Sequence, residues 1–180
     1  MTAKPPYLES LEELAAAVCG ALERAGFTAV LTGGAVVSIY SENEYASFDL
    51  DIISNASRAE LDRTMNDLGF SRGAGRHYEH PESQLMVEFP RGPVQIGQQT
   101  PKRFARRQTT QGVLCLLTPS DAIKDRLASY IHWNDPQALE QAAAIARRQP
   151  FNAQAVRRFC RQEGRAAAFD HFNNRISREN

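Results

Sequence analysis

The sequence predicts an α+β fold in which a small mixed β-sheet with flanking helices is followed by a C-terminal helical bundle. Up to residue 117, short apolar segments of strand length alternate with segments of helical spacing, which is typical of a sheet covered by helices. From residue 118 onward the spacing of apolar residues is helical throughout. We therefore expect an α/β core over residues 1–117 and a helical region over residues 118–180.

The first half of the chain carries clear signals for where its elements begin and end. Capping-box patterns at Ser10 and Ser57 each precede a helix, and these helices are expected to end at Gly26 and Gly69. The apolar pattern further predicts a short helix at 34–40 and strands at 27–31, 48–54, 76–80 and 84–89. The second of these strands is apolar apart from two aspartates, so we expect it to be buried on both faces.

The second half begins with a polar, basic segment at 98–111, after a candidate short strand at 94–97. An apolar strand is expected at 112–117. Thr118 then caps a helix whose first position is Pro119. Helices are expected at about 119–133, 136–148, 152–163 and 165–176. Trp133 is expected to be a core anchor between helices.

Composition excludes several classes of protein. No apolar run reaches the length of a membrane span, and the first residues lack the apolar stretch of a secretory signal, so we expect a cytoplasmic protein with no membrane partner. Cys19, Cys115 and Cys160 lack metal-ligand spacing and are expected to be buried free thiols. The net charge is zero. Acidic residues nevertheless dominate residues 1–100 and basic residues dominate the remainder, which favours either phosphate binding by the basic half or simple attraction between the halves.

One motif indicates chemistry. Gly33 and Gly34 end an apolar strand and begin a helix, where a backbone can approach a phosphate closely. Asp49 and Asp51 follow on alternate positions of the next strand, so their carboxylates share one face. Two like charges held together are costly unless a cation lies between them, and a hard divalent cation such as Mg²⁺ suits an all-oxygen site.

These residues resemble the signature of the nucleotidyltransferase superfamily, which includes DNA polymerase beta and kanamycin nucleotidyltransferase. The matching residues lie in the signature's order, and the resemblance covers about residues 28–96. The segment between the glycines and the aspartates, 35–48, is slightly long for the family. In appearance the chain is closest to the stand-alone nucleotidyltransferases related to abortive-infection and toxin–antitoxin systems.

The resemblance implies roles for further residues. Glu88 is the best match to a third carboxylate, which completes the metal site and helps to remove the acceptor proton; the alternative is a solvent-facing strand residue. Ser38, one turn after Gly34, either reaches a phosphate or caps its own helix. Lys124 is a candidate triphosphate ligand, because the resembling toxin-like enzymes have a functional lysine on such a later helix; the alternative is a solvated face with local ion pairs.

The remaining polar residues leave alternatives open. His77 is expected to lie on a surface strand with hydrogen-bonded histidines, and Arg76 is a candidate for binding a nucleotide phosphate or a sugar. Basic residues of 102–107 and of 157–165 either contact RNA or DNA phosphates or form solvated faces. Aromatic residues hardly interleave with them, so base stacking is unsupported.

The function implied is transfer of a nucleoside monophosphate from a nucleoside triphosphate to a hydroxyl of a protein, an RNA or a small molecule, with Mg²⁺ or Mn²⁺ as cofactor. A toxin-type enzyme with an antitoxin partner is the narrower form of this hypothesis. The alternatives are a non-catalytic module that binds a nucleotide or a partner, and a nucleic-acid-binding protein that uses the basic half.

Overall fold

The computed structural model describes residues 5–177. Its elements form two compact units, which do not follow a single boundary in the chain. The unit that we call the sheet unit comprises the described residues up to Ala35, Ser47–Pro93 and Phe104–Leu116. The helical unit comprises Val36–Ala46, Val94–Arg103 and the chain from Leu117 onward. The α+β architecture expected from the sequence is confirmed.

Within the described residues, the sheet unit contains one seven-stranded mixed sheet of strand order β3-β4-β5-β2-β1-β7-β6. The central strand β2 pairs antiparallel with β1 and parallel with β5. The edge strand β6 forms an antiparallel hairpin with β7. The strand bounds are Ala29–Thr32 (β1), Asp49–Ser54 (β2), Ser71–Arg72 (β3), His77–Glu79 (β4), Met86–Glu88 (β5), Ala105–Thr109 (β6) and Gly112–Leu116 (β7).

Two helices of the sheet unit begin where their caps predict. The side chain of Ser10 accepts a hydrogen bond from the backbone N–H of Glu13 at the start of α1, Leu11–Arg24. Ser57 and Glu60 form a complete capping box at the start of α3, Arg58–Asp67. The buried face of α1 consists of small and branched apolar residues, including Leu14, Val18 and Leu22. A short 3₁₀-helix, Pro6–Leu8, precedes α1.

The helical unit contains helices α4 to α7. Helix α2, Gly33–Tyr40, begins in the sheet unit, and its residues from Val36 onward belong to the helical unit. Helix α4 has the predicted cap, because the Thr118 side chain accepts a hydrogen bond from the N–H of Asp121. The bounds of the C-terminal helices are Pro119–Trp133 (α4), Pro136–Arg148 (α5), Ala153–Gln162 (α6) and Ala167–Ser177 (α7). All of them lie within about two residues of the bounds expected from the sequence.

Residues 36–46 and 94–103 group with the C-terminal helices, although we expected one boundary after residue 117. Side-chain contacts inside the helical unit explain this. The Tyr40 hydroxyl donates to the carbonyl of Leu117 at 2.8 Å. Glu44 pairs with Arg148 on α5 at 2.5 Å. The Glu163 carboxylate accepts from the N–H of Gln98 at 3.0 Å.

Three local expectations are wrong. Residues 94–97 form no extended strand, since Ile96 and Gln99 bond only each other's backbone in an isolated bridge. Strand β2 is buried on one face only, because Leu50 and Ile52 are fully buried while Asp49 is exposed. Trp133 is 82% exposed instead of anchoring helices, because α4 ends there in a wholly exposed segment that turns at a left-handed Asn134.

The cysteines confirm their prediction: Cys19, Cys115 and Cys160 are buried and free. In residues 5–177 no helix has the length and apolar character needed to cross a membrane. Residues 1–4, on which part of the expectation about a leader rests, lie outside the described residues.

Candidate active site

The junction between β1 and α2 brings Gly33 directly against the aspartate strand. The strand ends at Thr32 and the helix begins at the next residue. Gly33 has a φ of +69°, and a Cβ built on it would lie 2.3 Å from Oδ2 of Asp51. An alanine there would be strained at this positive φ, and the Asp51 carboxylate would have to shift to make room for its Cβ. The Asp51 carboxylate therefore lies over the backbone of the glycine turn.

Backbone pairing fixes Asp51 in this position. It faces Thr32 in the antiparallel register of β1 and β2, and the Thr32 hydroxyl donates to the Asp51 carbonyl at 3.1 Å. The second glycine is also close to the start of the same strand. A Cβ on Gly34 would lie 3.3 Å from the hydroxyl oxygen of Ser47, and that hydroxyl donates to the carbonyl of Asp49 at 3.0 Å.

The register of the parallel pair β2–β5 adds the third carboxylate to the same face. Asp51 is the register partner of Glu88, and paired residues of neighbouring strands project to the same side of a sheet. Asp49, two positions earlier on β2, shares this face. The sequence-predicted carboxylates Asp49, Asp51 and Glu88 are thus brought to one face of the sheet, with Gly33 beside Asp51.

The donors fit a hard divalent cation in their chemistry, since all three are carboxylates and one of them, Asp51, lies against the backbone of Gly33. In residues 5–177, however, no group of three or more His, Cys, Asp or Glu side chains is arranged so that it could hold a metal ion. The shared face is therefore set by the backbone, whereas the three side chains are not gathered into one ligand set.

Strand β4 pairs with β5, the strand of Glu88, on the side opposite to β2. His77 is the antiparallel register partner of Glu88, and the His77 Nδ1 atom lies 3.9 Å from a Glu88 oxygen. The opposite ring nitrogen of His77 is hydrogen-bonded to Glu79 at 2.6 Å. This is the hydrogen-bonded surface strand expected for His77. The Glu88 side chain remains 40% exposed.

Ser38 and Lys124 lie in the helical unit and are both engaged locally. Ser38 is 2% exposed, and its hydroxyl donates to the Asn43 side chain at 3.0 Å, which favours the local structural alternative. The ammonium of Lys124 is 3.1 Å from a carboxylate oxygen of Asp121, one turn earlier on α4. Lys124 also lines a cavity of about 400 Å³ that includes Lys102 and Gln99.

The basic residues that were candidates for nucleic-acid contacts have protein partners in several cases. Arg107 on β6 pairs with Glu12 on α1. The guanidinium groups of Arg157 and Arg165 lie over aromatic rings, 4.8 Å and 4.7 Å from the ring centroids. These contacts stabilise the protein's own surface and favour the structural alternative for these arginines.

Sequence reasoning missed two arginines beside Glu88. Arg58 and Arg91 line a cavity of about 500 Å³, and so do Glu88 and Arg76, which the sequence had indicated. A signal existed for Arg58, because a basic side chain at the first position of a helix opposes the helix dipole. Arg91 has no comparable local signal, since it lies in an irregular segment between two prolines.

Two solved structures share this architecture. An antigenic nucleotidyltransferase-like protein from Paracoccidioides brasiliensis superposes with a TM-score of 0.55 at 12% identity, covering 75% of this chain and 74% of that chain. The antibiotic-resistance factor ANT(2'')-Ia superposes with a TM-score of 0.50 at 13% identity, covering 88% of this chain and 94% of that chain. No protein-family model matches the sequence, and no curated protein matches it significantly.

The chain therefore has a nucleotidyltransferase-like fold, which it shares with these two structures. This confirms the fold that the glycine and aspartate motif implied. The toxin-type subgroup stays a prediction.

Proposed function

We propose that this protein transfers a nucleoside monophosphate from a nucleoside triphosphate to an acceptor hydroxyl, in a reaction that depends on Mg²⁺ or Mn²⁺. The observation that carries the proposal is the Asp51 carboxylate directly over the Gly33 backbone, where a Cβ would lie 2.3 Å from Oδ2. This contact couples a phosphate-binding turn to a carboxylate pair. Phosphoryl transfer requires little beyond positioning and charge stabilisation, and these groups supply both.

Each residue of the site has a distinct part in this reaction. Gly33 and Gly34 bind the terminal phosphates through backbone N–H groups at the start of α2. Asp49 and Asp51 would hold the cation, which when bound would stabilise charge on the departing diphosphate. The acceptor oxygen forms a bond to the α-phosphorus while the bond from that phosphorus to the diphosphate oxygen breaks. The hydroxyl proton passes to the carboxylate of Glu88.

The cation site is tested by calorimetric titration of the protein with Mn²⁺ in the presence of ATP. Asp51→Asn should weaken cation binding by about tenfold or more, because an amide replaces a charged ligand. Asp67→Asn is the matched control, since Asp67 is an exposed acidic residue at the end of α3. Equal cation affinity in the wild type and in Asp51→Asn would overturn the metal site.

Transfer itself is tested by incubation with Mg²⁺ and each α-labelled nucleoside triphosphate in turn. Labelled protein, RNA or small molecule should appear, and the label should be lost in Asp51→Asn but retained in Asp67→Asn. The identity of the labelled product would then decide whether the toxin-type hypothesis, with its antitoxin partner, applies.

A second candidate is a non-catalytic module that binds a nucleotide or a partner. It is favoured by the lack, within residues 5–177, of a three-carboxylate group arranged to hold a metal ion. Such a module would bind a nucleoside triphosphate in the calorimeter yet label no acceptor under any of the conditions above.

A further inference from the structure

A cavity of about 500 Å³ in the sheet unit lies beside Glu88 and is lined by arginines. Its described lining consists of Arg58, Arg76, Glu88, Phe89, Pro90 and Arg91. Three guanidinium groups face one carboxylate, so the lining has a net positive charge. The volume lies within the range of cavities that bind small molecules. Both its charge and its size therefore distinguish it from an ordinary surface groove.

Three separate segments supply the arginines. Arg58 is the first residue of α3, Arg76 lies in the turn before β4, and Arg91 follows β5. Arg58 lies near the Tyr78 hydroxyl, but none of the three forms a salt bridge to an acidic residue within 5–177. Like charges gathered from distant parts of the chain repel one another. An anion bound among them would relieve that repulsion.

The chemistry of the lining selects the kind of anion. A planar guanidinium binds two oxygens of a phosphate or a carboxylate at once. A phosphate monoester carries up to two negative charges and several acceptor oxygens, which matches several arginines better than a single carboxylate does. A polycation would be repelled. Glu88 lies in the same lining, so a ligand held by the arginines can present a hydroxyl to the carboxylate that the proposed reaction uses.

We propose that the acceptor is a small hydroxyl compound bearing a phosphate group, and that Arg58, Arg76 and Arg91 bind that phosphate. This inference rests on the proposed nucleotidyl transfer. The acceptor hydroxyl bonds the α-phosphorus of the nucleoside triphosphate, diphosphate leaves, and the hydroxyl proton passes to Glu88. The phosphate of the acceptor is bound by the arginines and takes no part in bond making or breaking.

Binding is tested first, without nucleotide and at low ionic strength. Ribose 5-phosphate and glucose 6-phosphate are the anionic probes, ribose and glucose the neutral ones, and spermine the cationic one. Calorimetry should show at least about tenfold tighter binding of a phosphorylated sugar than of its neutral counterpart. Arg76→Gln and Arg91→Gln should each weaken it by about tenfold or more.

Arg106→Gln is the matched control, because Arg106 is an exposed arginine on β6 at the opposite edge of the sheet. It removes the same charge from the same unit and should change binding less than twofold. Arg58 is not substituted, because it lies near the buried Tyr78 of β4 and its loss would disturb the packing there. Circular dichroism verifies that each variant is folded.

Transfer assays with labelled nucleotide and Mg²⁺ then separate this inference from the proposed function. Arginine-dependent binding without any transfer would overturn the proposed function and leave the anion site in place. Equal transfer to ribose and to ribose 5-phosphate, unaffected by Arg76→Gln, would overturn the inference and leave the proposed function intact. The inference would also be overturned if no phosphorylated probe bound, or if Arg106→Gln weakened binding as much as Arg76→Gln and Arg91→Gln do. Label found in RNA alone would overturn it as well.

Discussion

Gly33 is the residue at which the candidate site depends most directly on backbone geometry. Its φ is +69°, and a Cβ would collide with the Asp51 carboxylate at 2.3 Å. Gly33→Ala should therefore abolish nucleoside triphosphate binding and lower the free energy of unfolding by more than the roughly 1–2 kcal/mol expected for a left-handed alanine alone. Urea unfolding and nucleotide titration measure the two effects.

Gly26 is the natural control for this substitution. Its φ is also positive, at +92°, but a Cβ there would have no atom within 4 Å. Gly26→Ala should cost only the backbone strain of a left-handed alanine, roughly 1–2 kcal/mol, and should leave nucleotide binding unchanged. If the two variants lose the same stability and both bind nucleotide normally, the contact with Asp51 has no functional role.

Glu88 is the residue that separates an enzyme from a binding module. Glu88→Gln should leave nucleoside triphosphate affinity nearly unchanged and reduce transfer at least about a hundredfold, because the group proposed to receive the acceptor proton is lost. The thermal midpoint should move little, since glutamine is nearly isosteric and the Glu88 side chain is 40% exposed. Glu82→Gln, in the exposed turn before β5, is the control. Full transfer by Glu88→Gln would remove Glu88 from the site.

Single residues differ in how well sequence predicts their role. Strand alternation and glycine geometry, which are local rules, predicted the shared face of Asp49 and Asp51 and the turn at Gly33. The contact of Gly33 with Asp51 depends instead on the pairing of β1 with β2. Local rules did not predict the role of Ser38. Its hydrogen-bond partner, Asn43, lies beyond the end of the helix, and the burial of Ser38 depends on long-range packing. Arg91 lines the cavity because of the path of the irregular segment after β5, which no sequence periodicity predicts.

At the scale of elements, the strands that sequence missed are the polar ones at the sheet edges. Strand β6, Ala105–Thr109, is largely exposed and carries two arginines, so its sequence lacks an apolar face. Edge strands are commonly short and charged, which limits unwanted pairing with other chains. The two-residue strand β3 at the other edge has the same character. Their pairing partners, and not their own composition, make them strands.

The β6–β7 hairpin is further held to α1 by Glu13. Its carboxylate accepts hydrogen bonds from the Thr110 hydroxyl at 2.7 Å and from the N–H groups of Thr110 and Gln111 at 3.2 Å and 3.1 Å. The hydrogen bond from the Thr110 side chain is the largest of the causes that lower the pKa of Glu13 below its usual value. The ionised carboxylate therefore joins the first helix to the edge of the sheet.

This lowered pKa predicts the pH dependence of stability. A carboxyl group whose pKa is lower in the folded state stabilises the protein above its unfolded-state pKa, and this contribution is lost as pH falls through the folded-state value. Glu13→Gln should therefore be less stable than the wild type at pH 7, and the difference should shrink as pH falls below about 4.5. Urea unfolding of both proteins at pH 7, 5 and 3 measures this difference in stability. Glu23→Gln, at an exposed position on the same helix, is the control variant. A pH profile of Glu13→Gln equal to that of the wild type would contradict the role of Glu13.

At the scale of the whole molecule, sequence predicted the α+β class and most of the elements in their order, whereas the division into units depends on contacts between distant residues. The C-terminal helices have strong caps and continuous apolar faces, so local rules located them closely. The assignment of 36–46 and 94–103 to the helical unit depends instead on contacts such as Glu44 with Arg148 and Glu163 with Gln98. These pairs are far apart in the chain, and a charged residue's partner cannot be inferred from its neighbours.

The buried cysteines allow both units to be followed in one experiment, because Cys19 and Cys115 lie in the sheet unit and Cys160 lies in the helical unit. Burial raises the pKa of all three thiols, that of Cys160 to about 11. At pH 8 the thiolate of Cys160 is then about a thousandth of the total, against roughly a quarter for a free cysteine. Labelling with a thiol reagent should therefore be at least about a hundredfold slower in the folded protein than in 8 M urea, as measured by mass spectrometry of the labelled peptides. Rapid labelling of any of the three in native buffer would show that its unit opens readily, contrary to the packing described here.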